Sequence, residues 1–267
     1  MEKGAVLISG AAGGIGRATV DRFLAAGYVV AGIDIDPAVE SLGETDYVGT
    51  VADVQDPARL EEAVDGLLHG RQLRHVVGLA GRVVPEEHGL MERGLPRAVA
   101  AFSQSVSLNL TGQFALMHLA LPKLSAIEGD RSITFCSSVN ALRGYGAPAY
   151  SAAKAGLIGM THALATPLAR TGIRVNVVAP GATRTPLLHE EVAQSGDSRG
   201  LERMAERIPL GRLAEPADIA EVIVSVADRM VHVTDQVIAV DGGQIPPAPP
   251  GQRRRRLRRW LHYRPFR

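Results

Sequence analysis

Tyr150 and Lys154 stand four residues apart at the head of a stretch whose apolar residues recur with helical period. That spacing puts both side chains on one helix face. A phenol with a pKa of about 10 is a poor proton carrier at neutral pH. A neighbouring ammonium stabilises the phenolate and brings that value down, so the pair suits acid–base work. Tyr-x-x-x-Lys also arises by chance, and an exposed pair on a helix reads the same. A second group of residues suits an anion. Ser9-Gly10-Ala11-Ala12-Gly13-Gly14-Ile15-Gly16 follows a short apolar run and leads into a helical one. Glycine allows the tight turn. It also lets a phosphate approach the helix N-terminus, where free N–H groups and the dipole favour negative charge. Taken alone, the spacing of Gly10, Gly14 and Gly16 fits an ordinary tight turn equally well.

Asp34 closes the next apolar run, 18 residues after Gly16. A carboxylate there can accept hydrogen bonds from both hydroxyls of an adenosine ribose and would repel a 2′-phosphate. No Arg or Lys stands beside it or just before Gly14, so NAD is expected rather than NADP. Asp53, at the end of the third run, suits either an adenine contact or a simple turn.

These residues need a frame that brings them together. Seven short runs read as strands: Val6–Ser9, Val29–Asp34, Val48–Ala52, His75–Ala80, Ile133–Ser137, Arg174–Ala179 and Val237–Val240. Most are continuously apolar, as expected of strands buried on both faces. Helical stretches lie between them. Val20, Phe23 and Leu24 recur at helical spacing before Gly27; residues 151–170 repeat the pattern and stop at Thr171-Gly172; Pro216 opens another helix. Repeated β-α-β units predict an α/β fold. The expectation is a single doubly wound, Rossmann-type domain, with a seven-stranded, mainly parallel sheet and helices on both faces. Residues 183–205 are polar and read as a loop.

Composition narrows the class. The chain has 267 residues, 46% apolar and 21% charged, with one Cys, which excludes a disordered, collagenous or disulfide-stapled protein. The N-terminus leads directly into an apolar run, and no stretch of about 18 apolar residues occurs; a cytoplasmic protein is expected. The net charge of +1 hides an asymmetry. Eight arginines follow residue 250, leaving the first 250 residues with 21 basic against 28 acidic side chains. Binding of nucleic acid over the whole surface is thereby excluded. The expected division is a catalytic domain over 1–244 and a Pro-rich connector with an Arg-rich tail over 245–267. The tail suits a surface-laid extension, a clamp on a neighbouring subunit, or attachment to nucleic acid or an anionic membrane.

In order along the chain come Ser9–Gly16, Asp34, Asp53, Asn109-Leu110-Thr111-Gly112, Ser137-Ser138, Tyr150–Lys154, Asn176, Pro180-Gly181 and Asp241-Gly242-Gly243. With these motifs the sequence resembles the short-chain dehydrogenase/reductase family over nearly all of residues 4–244. The resemblance implies an oxidoreductase that transfers a hydride between NAD(H) and a secondary alcohol or ketone. By the same resemblance Tyr150 is the general acid/base, Lys154 its activator and a nicotinamide-ribose ligand, Ser138 the substrate-oxygen donor, and Asn109 the holder of a water in a proton relay. The cofactor site implied is Ser9, Gly10, Gly14, Ile15, Gly16, Asp34, Ile35, Asp53, Val54, Ala80, Gly81, Tyr150, Lys154, Pro180, Gly181, Thr183 and Thr185. The family also implies a homo-oligomer, a dimer of dimers. Alternatives on the same frame are an enoyl reductase, a dihydrodiol-type dehydrogenase, and a non-catalytic NAD(H)-sensing or scaffold protein.

Two departures stand out. The family's Asn-Asn-Ala-Gly after the fourth strand is here Gly78-Leu79-Ala80-Gly81, which removes hydrogen bonds that stiffen the central sheet. The loop before Tyr150 is one residue short, so that counting back from Tyr150 would select Ser137; alignment from the strand selects Ser138. Cys136 reads as a small buried thiol. The eight His show no ligand spacing, so no metal is expected. Substrate choice is assigned to Val139, Asn140, Leu142, Tyr145, Ala147 and the 183–205 segment. These residues are mostly apolar and suit a neutral, fairly hydrophobic substrate. Glu190 and Glu191 would disfavour an anion if they faced inward; solvated helix charges are the alternative.

Overall fold

The computed structural model describes residues 3–43, 45–143, 146–194 and 196–245. Tyr145, nearly all of the proline connector and the Arg-rich tail lie outside the described residues. Seven strands form one sheet: β1 (Ala5–Ser9), β2 (Val29–Asp34), β3 (Tyr47–Val51), β4 (Leu73–Gly78), β5 (Arg131–Cys136), β6 (Ile173–Pro180) and β7 (Val237–Val240). Their order is β3-β2-β1-β4-β5-β6-β7, and every pairing is parallel. The sheet, expected to be mainly parallel, is parallel throughout among the described residues. The winding reverses between β1 and β4, where Ser9 lies beside Gly78. A crevice opens at such a switch point, outside the carboxyl ends of the strands.

The continuous apolar runs are explained by the two layers that cover the sheet. On one face lie α2 (Pro57–Leu68), α4 (Gly112–Ser125) and α6 (Pro148–Ala169). There Leu60, Val64, Leu116 and Leu157 pack with Leu7, Ile33 and Phe135. On the other lie α1 (Gly14–Ala25) and α9 (Pro216–Val224), where Val20, Phe23, Ile219 and Ile223 pack with Val6, Ile8, Val30 and Val178. Successive residues of β1 thus go to opposite cores, as strand geometry requires. The central strands are buried on both faces, and their polar residues, such as Ser132, Thr134, Arg174 and Asn176, are buried with the apolar ones.

Three further helical units frame the carboxyl end: α3 (Leu95–Val106), the short α5 (Val139–Leu142) and the pair α7 (Pro186–Gln194) and α8 (Gly200–Arg207). The last two replace the loop expected over 183–205. Pro186 occupies the first turn of α7, and Thr185 Oγ1 accepts from Leu188 N at 3.2 Å, as a cap does. The apolar side chains Leu188, Leu201 and Met204 on this pair are only half-buried. A helix lying over a cleft carries too little apolar surface to show a clear stripe in the sequence.

Candidate active site

At the carboxyl end of the sheet, α6 begins beside β5, and the turn between them brings the chemistry together. Tyr150 lies in the first turn of α6 and Lys154 one turn on. Lys154 is buried and donates to the Cys136 carbonyl oxygen at 2.9 Å; its Nζ lies 5.6 Å from the centre of the Tyr150 ring. The Ser138 hydroxyl shares a hydrogen bond with the phenol. Ser137 points the other way, its Oγ donating to the Lys154 carbonyl oxygen at 2.8 Å inside the protein. The geometry therefore pairs Ser138, and not Ser137, with Tyr150. Burial raises the phenol well above its ordinary range, with Cys136, Glu191 and Glu87 adding to the rise and the Ser138 hydrogen bond opposing it. Lys154 is itself pushed down by burial. The lowering influence on the phenol in this arrangement is the Ser138 hydrogen bond, where the sequence points to Lys154, and burial outweighs it.

Asn109 sits in a single π-helical turn, Ser107–Thr111, between α3 and α4; such turns commonly mark functional sites. Its amide nitrogen donates to the carbonyl oxygens of Arg82 at 2.9 Å and Ser105 at 3.0 Å. Its Oδ1 is buried without a partner among the described residues. A Cβ on Gly81 would run into that oxygen and come within 3.0 Å of Lys154 Nζ. Asn109 and Lys154 thus flank one spot, which holds an acceptor that lacks a donor.

A cleft of about 1410 Å³ joins this corner to the glycine turn. Gly10, Gly14, Ile15 and Gly16 line it on one side, and Gly81, Pro180, Gly181, Thr183 and Thr185 line it with Ser138, Tyr150 and Lys154 on the other. A Cβ on Gly16 would overlap the Gly10 carbonyl oxygen, so the turn closes only with glycine there. Asp34 lies beyond the cleft lining at the end of β2; its Oδ2 accepts from Ala12 N at 2.9 Å and its Oδ1 from Asp36 N at 3.0 Å. Ile35 next to it is 57% exposed, an apolar shelf beside the carboxylate. Asp53 accepts from Gln55 N at 2.9 Å, the turn geometry weighed for it, and Val54 is buried against Gly112. Ser9 and Ala80 are not in the lining; they form part of the floor beneath it.

That floor explains the lost asparagines. A side chain at Gly78 would collide with Gln113 Oε1. Gln113, buried on α4, fills that space, accepts from Ser9 Oγ at 3.4 Å and donates to the Ala80 carbonyl oxygen at 2.6 Å. The expected loss of stiffness is thus offset from a different element. The signal in the sequence is faint: a glutamine one helical turn after Asn109, on the same face.

Of the residues to which substrate choice is assigned, Val139, Asn140 and Ala147 line the cleft, with Leu187, Leu188 and Met204; Leu142 lies outside this lining. Glu190 is exposed, whereas Glu191 lines the cleft, where burial raises its carboxyl and His88 opposes the rise. Sequence reasoning passes over His88 and Glu87. Among the described residues no group of His, Cys, Asp and Glu is gathered to hold a metal, and no helix is long and apolar enough to cross a membrane.

Comparison with known proteins bears on this architecture directly. The family described as Enoyl-(Acyl carrier protein) reductase matches residues 10–244. A crystal structure of a short-chain dehydrogenase/reductase family oxidoreductase from Burkholderia thailandensis superposes with a TM-score of 0.80 at 33% identity, covering 98% of each chain. The chain belongs to the short-chain dehydrogenase/reductase family. Within that family it is 35% identical to the L-fucose dehydrogenase of Mus musculus, over 89% of this chain and 87% of that one. It also resembles a single-substitution variant of actinorhodin polyketide ketoreductase solved with NADPH, with a TM-score of 0.81 at 27% identity, covering 90% and 96% of the two chains. As a family member the chain is an oxidoreductase built to bind a nicotinamide cofactor.

The residues present fit that cofactor. The glycine turn leaves room at the N-terminus of α1, Lys154 and Tyr150 face the same cleft, and the unpaired Asn109 Oδ1 lies beside Lys154.

Proposed function

We propose that this oxidoreductase interconverts a secondary alcohol and a ketone with NAD(H), using Tyr150 as the acid/base. The observation that carries the reading is the constellation itself: a phenol hydrogen-bonded to Ser138 in the lining of a cleft, with the Lys154 ammonium near its ring and the unpaired Asn109 Oδ1 beside Lys154. The glycine turn and the Pro180–Thr185 segment would hold a nicotinamide cofactor, which would supply or accept the hydride. Tyr150 passes the proton to or from the substrate oxygen, and Ser138 donates a hydrogen bond to that oxygen as charge develops there. Lys154 holds a positive charge behind the phenol. Asn109 Oδ1 accepts from a water that refills the proton through Lys154. Asp34, already fixed by two backbone N–H groups, takes the ribose hydroxyls and disfavours a 2′-phosphate.

Glu191 on the cleft wall supports a neutral substrate over an anionic one, since a carboxylate repels an anion in a desolvated pocket. The apolar side chains Leu95, Val99, Phe102 and Phe114, exposed on α3 and α4, suit packing against a second copy, in keeping with a dimer of dimers. A second reading, enoyl reduction, is favoured by the description of the matching family; it shares the proton donor and the hydride source.

A panel of ketones, secondary alcohols and enoyl thioesters, followed by reduced-nicotinamide absorbance with both cofactors, tests the proposal. Turnover of ketones or alcohols, with higher kcat/KM for NAD(H) than NADP(H), is the expected result. Better efficiency with NADP(H) would overturn the Asp34 argument. NADH binding with no turnover across the panel would leave a sensor or scaffold.

A further inference from the structure

Glu87 is a buried carboxylate without a task in the chemistry above. It ends a short 3-10 turn, Pro85–Glu87, after β4 and is 4% exposed. Among the described residues it has no ion-pair partner. Its two oxygens accept from the Tyr150 backbone N–H at 3.0 and 3.1 Å, and Oε2 also accepts from Ser105 Oγ at 3.3 Å. A carboxylate removed from water is tolerated only where hydrogen bonds replace its hydration, and here most of that replacement is spent on one catalytic residue's main chain.

α6 needs such a partner. The first N–H groups of a helix have no acceptor within it, and a local Ser, Thr, Asp or Asn ordinarily supplies one. The residue before α6 is Ala147, in the left-handed region at φ 48° and with no side chain able to cap. The acceptor arrives instead from 63 positions upstream. The same carboxylate reaches the other catalytic segment. Ser105, which donates to Glu87, offers its carbonyl oxygen to Asn109 Nδ2 at 3.0 Å.

We propose that Glu87 is a positioning residue, a long-range helix cap that locks Tyr150 and Asn109 into one arrangement through a single buried carboxylate. The proposal rests on the reading of Tyr150 as the proton carrier. Charge acts alongside placement. The phenol is faced by Glu87 from the segment after β4, Glu191 from α7 with His88 opposing it, Cys136 from β5, Ser138 ahead of α5, and Lys154 on its own helix. Burial raises the phenol most, and both carboxylates add to the rise.

Glu87→Gln removes the charge and keeps an acceptor; Glu87→Ala removes both. Two measurements on the full chain with NAD bound separate placement from charge. In hydrogen exchange, Glu87→Ala is expected to speed exchange at the first turn of α6 at least tenfold, and Glu87→Gln to restore most of the protection. In the pH profile of alcohol oxidation, which needs the phenolate, Glu87→Gln is expected to shift the acidic limb of kcat/KM to lower pH. Below the wild-type limb its rate, relative to its own plateau, should then exceed wild type about threefold. Unchanged exchange in Glu87→Ala, or an unmoved limb in Glu87→Gln, would overturn the proposal. A merely structural carboxylate would lower the plateau and leave the limb in place. Absence of any turnover would count against the proposed function, while the exchange result would still decide whether Glu87 caps α6.

Discussion

Polar groups are buried at both ends of this parallel sheet, and they are wired differently. At the amino ends of the strands, His75 of β4 bonds Ser132 of β5 at 2.9 Å and the Tyr28 hydroxyl at 3.1 Å, and Tyr28 reaches Asp228. Arg174 of β6 pairs with Asp130 and donates to the carbonyl oxygens of Val226, Val233 and Ala227. Every one of these side chains has a partner within the chain. At the carboxyl ends, Asn109 Oδ1 has none among the described residues, Lys154 spends its ammonium on one backbone oxygen, and Tyr150 is raised by burial. Two threonine hydroxyls, Thr134 and Thr161, share the unpaired state but lie away from the cleft lining. The contrast separates two uses of buried polarity. A closed network holds elements together, whereas an open one awaits a ligand.

The largest effects should divide along that line. Tyr150→Phe is expected to cut turnover by roughly 10²–10⁴-fold with little change in the denaturation midpoint. Arg174→Met leaves Asp130 without its ion-pair partner and takes a donor from three carbonyls, of which Ala227 keeps Ser132 Oγ and Val233 keeps Asn176 Nδ2; it is expected to cost about 3–5 kcal/mol of stability and to leave the rate per folded molecule unchanged. Denaturant titration beside initial rates tests both, and a catalytic defect in Arg174→Met would erase the division.

Acid should reveal the closed network next. Burial lowers His75 from 6.5 to about 4, so the folded protein keeps it neutral while the unfolded chain protonates it. Its contribution is complete above about 6.5 and is lost as pH falls toward about 4. The loss amounts to roughly 3 kcal/mol. His75→Gln should flatten the stability profile across that window, and an unchanged slope would show that other groups carry it. Smallest is the effect at the floor joining the two ends. Gly78→Ala pushes a methyl into Gln113 and should cost about 1–3 kcal/mol, read as a lower melting temperature with the Asp34 side of the cleft unaffected.

Much of the frame is legible in the chain. Mostly apolar runs mark the seven strands because the central strands of a parallel sheet are buried on both faces, and the strand bounds differ by at most two residues. The segment 183–205 reads as a loop in sequence because α7 and α8 cover a cleft rather than a core. Within the site, glycine spacing, Asp34 and the Tyr150–Lys154 pair are local in sequence and so are visible. Glu87, Gln113 and His88 are not, because each acts on a residue of another element, and no spacing rule links a carboxylate at 87 to an N–H at 150.

By itself the sequence determined the residue types that chemistry requires and the order of strands and helices that carry them, since both follow from local spacing and periodicity. The tertiary structure decided which serine meets the phenol, where the missing asparagines' hydrogen bonds are replaced, and which buried oxygen is left open. These depend on distances between elements far apart in the chain. It also decided the sign of the tyrosine's shift. A nearby lysine reads as lowering the phenol, but in this cleft burial is the largest influence and raises it, with the Ser138 hydrogen bond opposing.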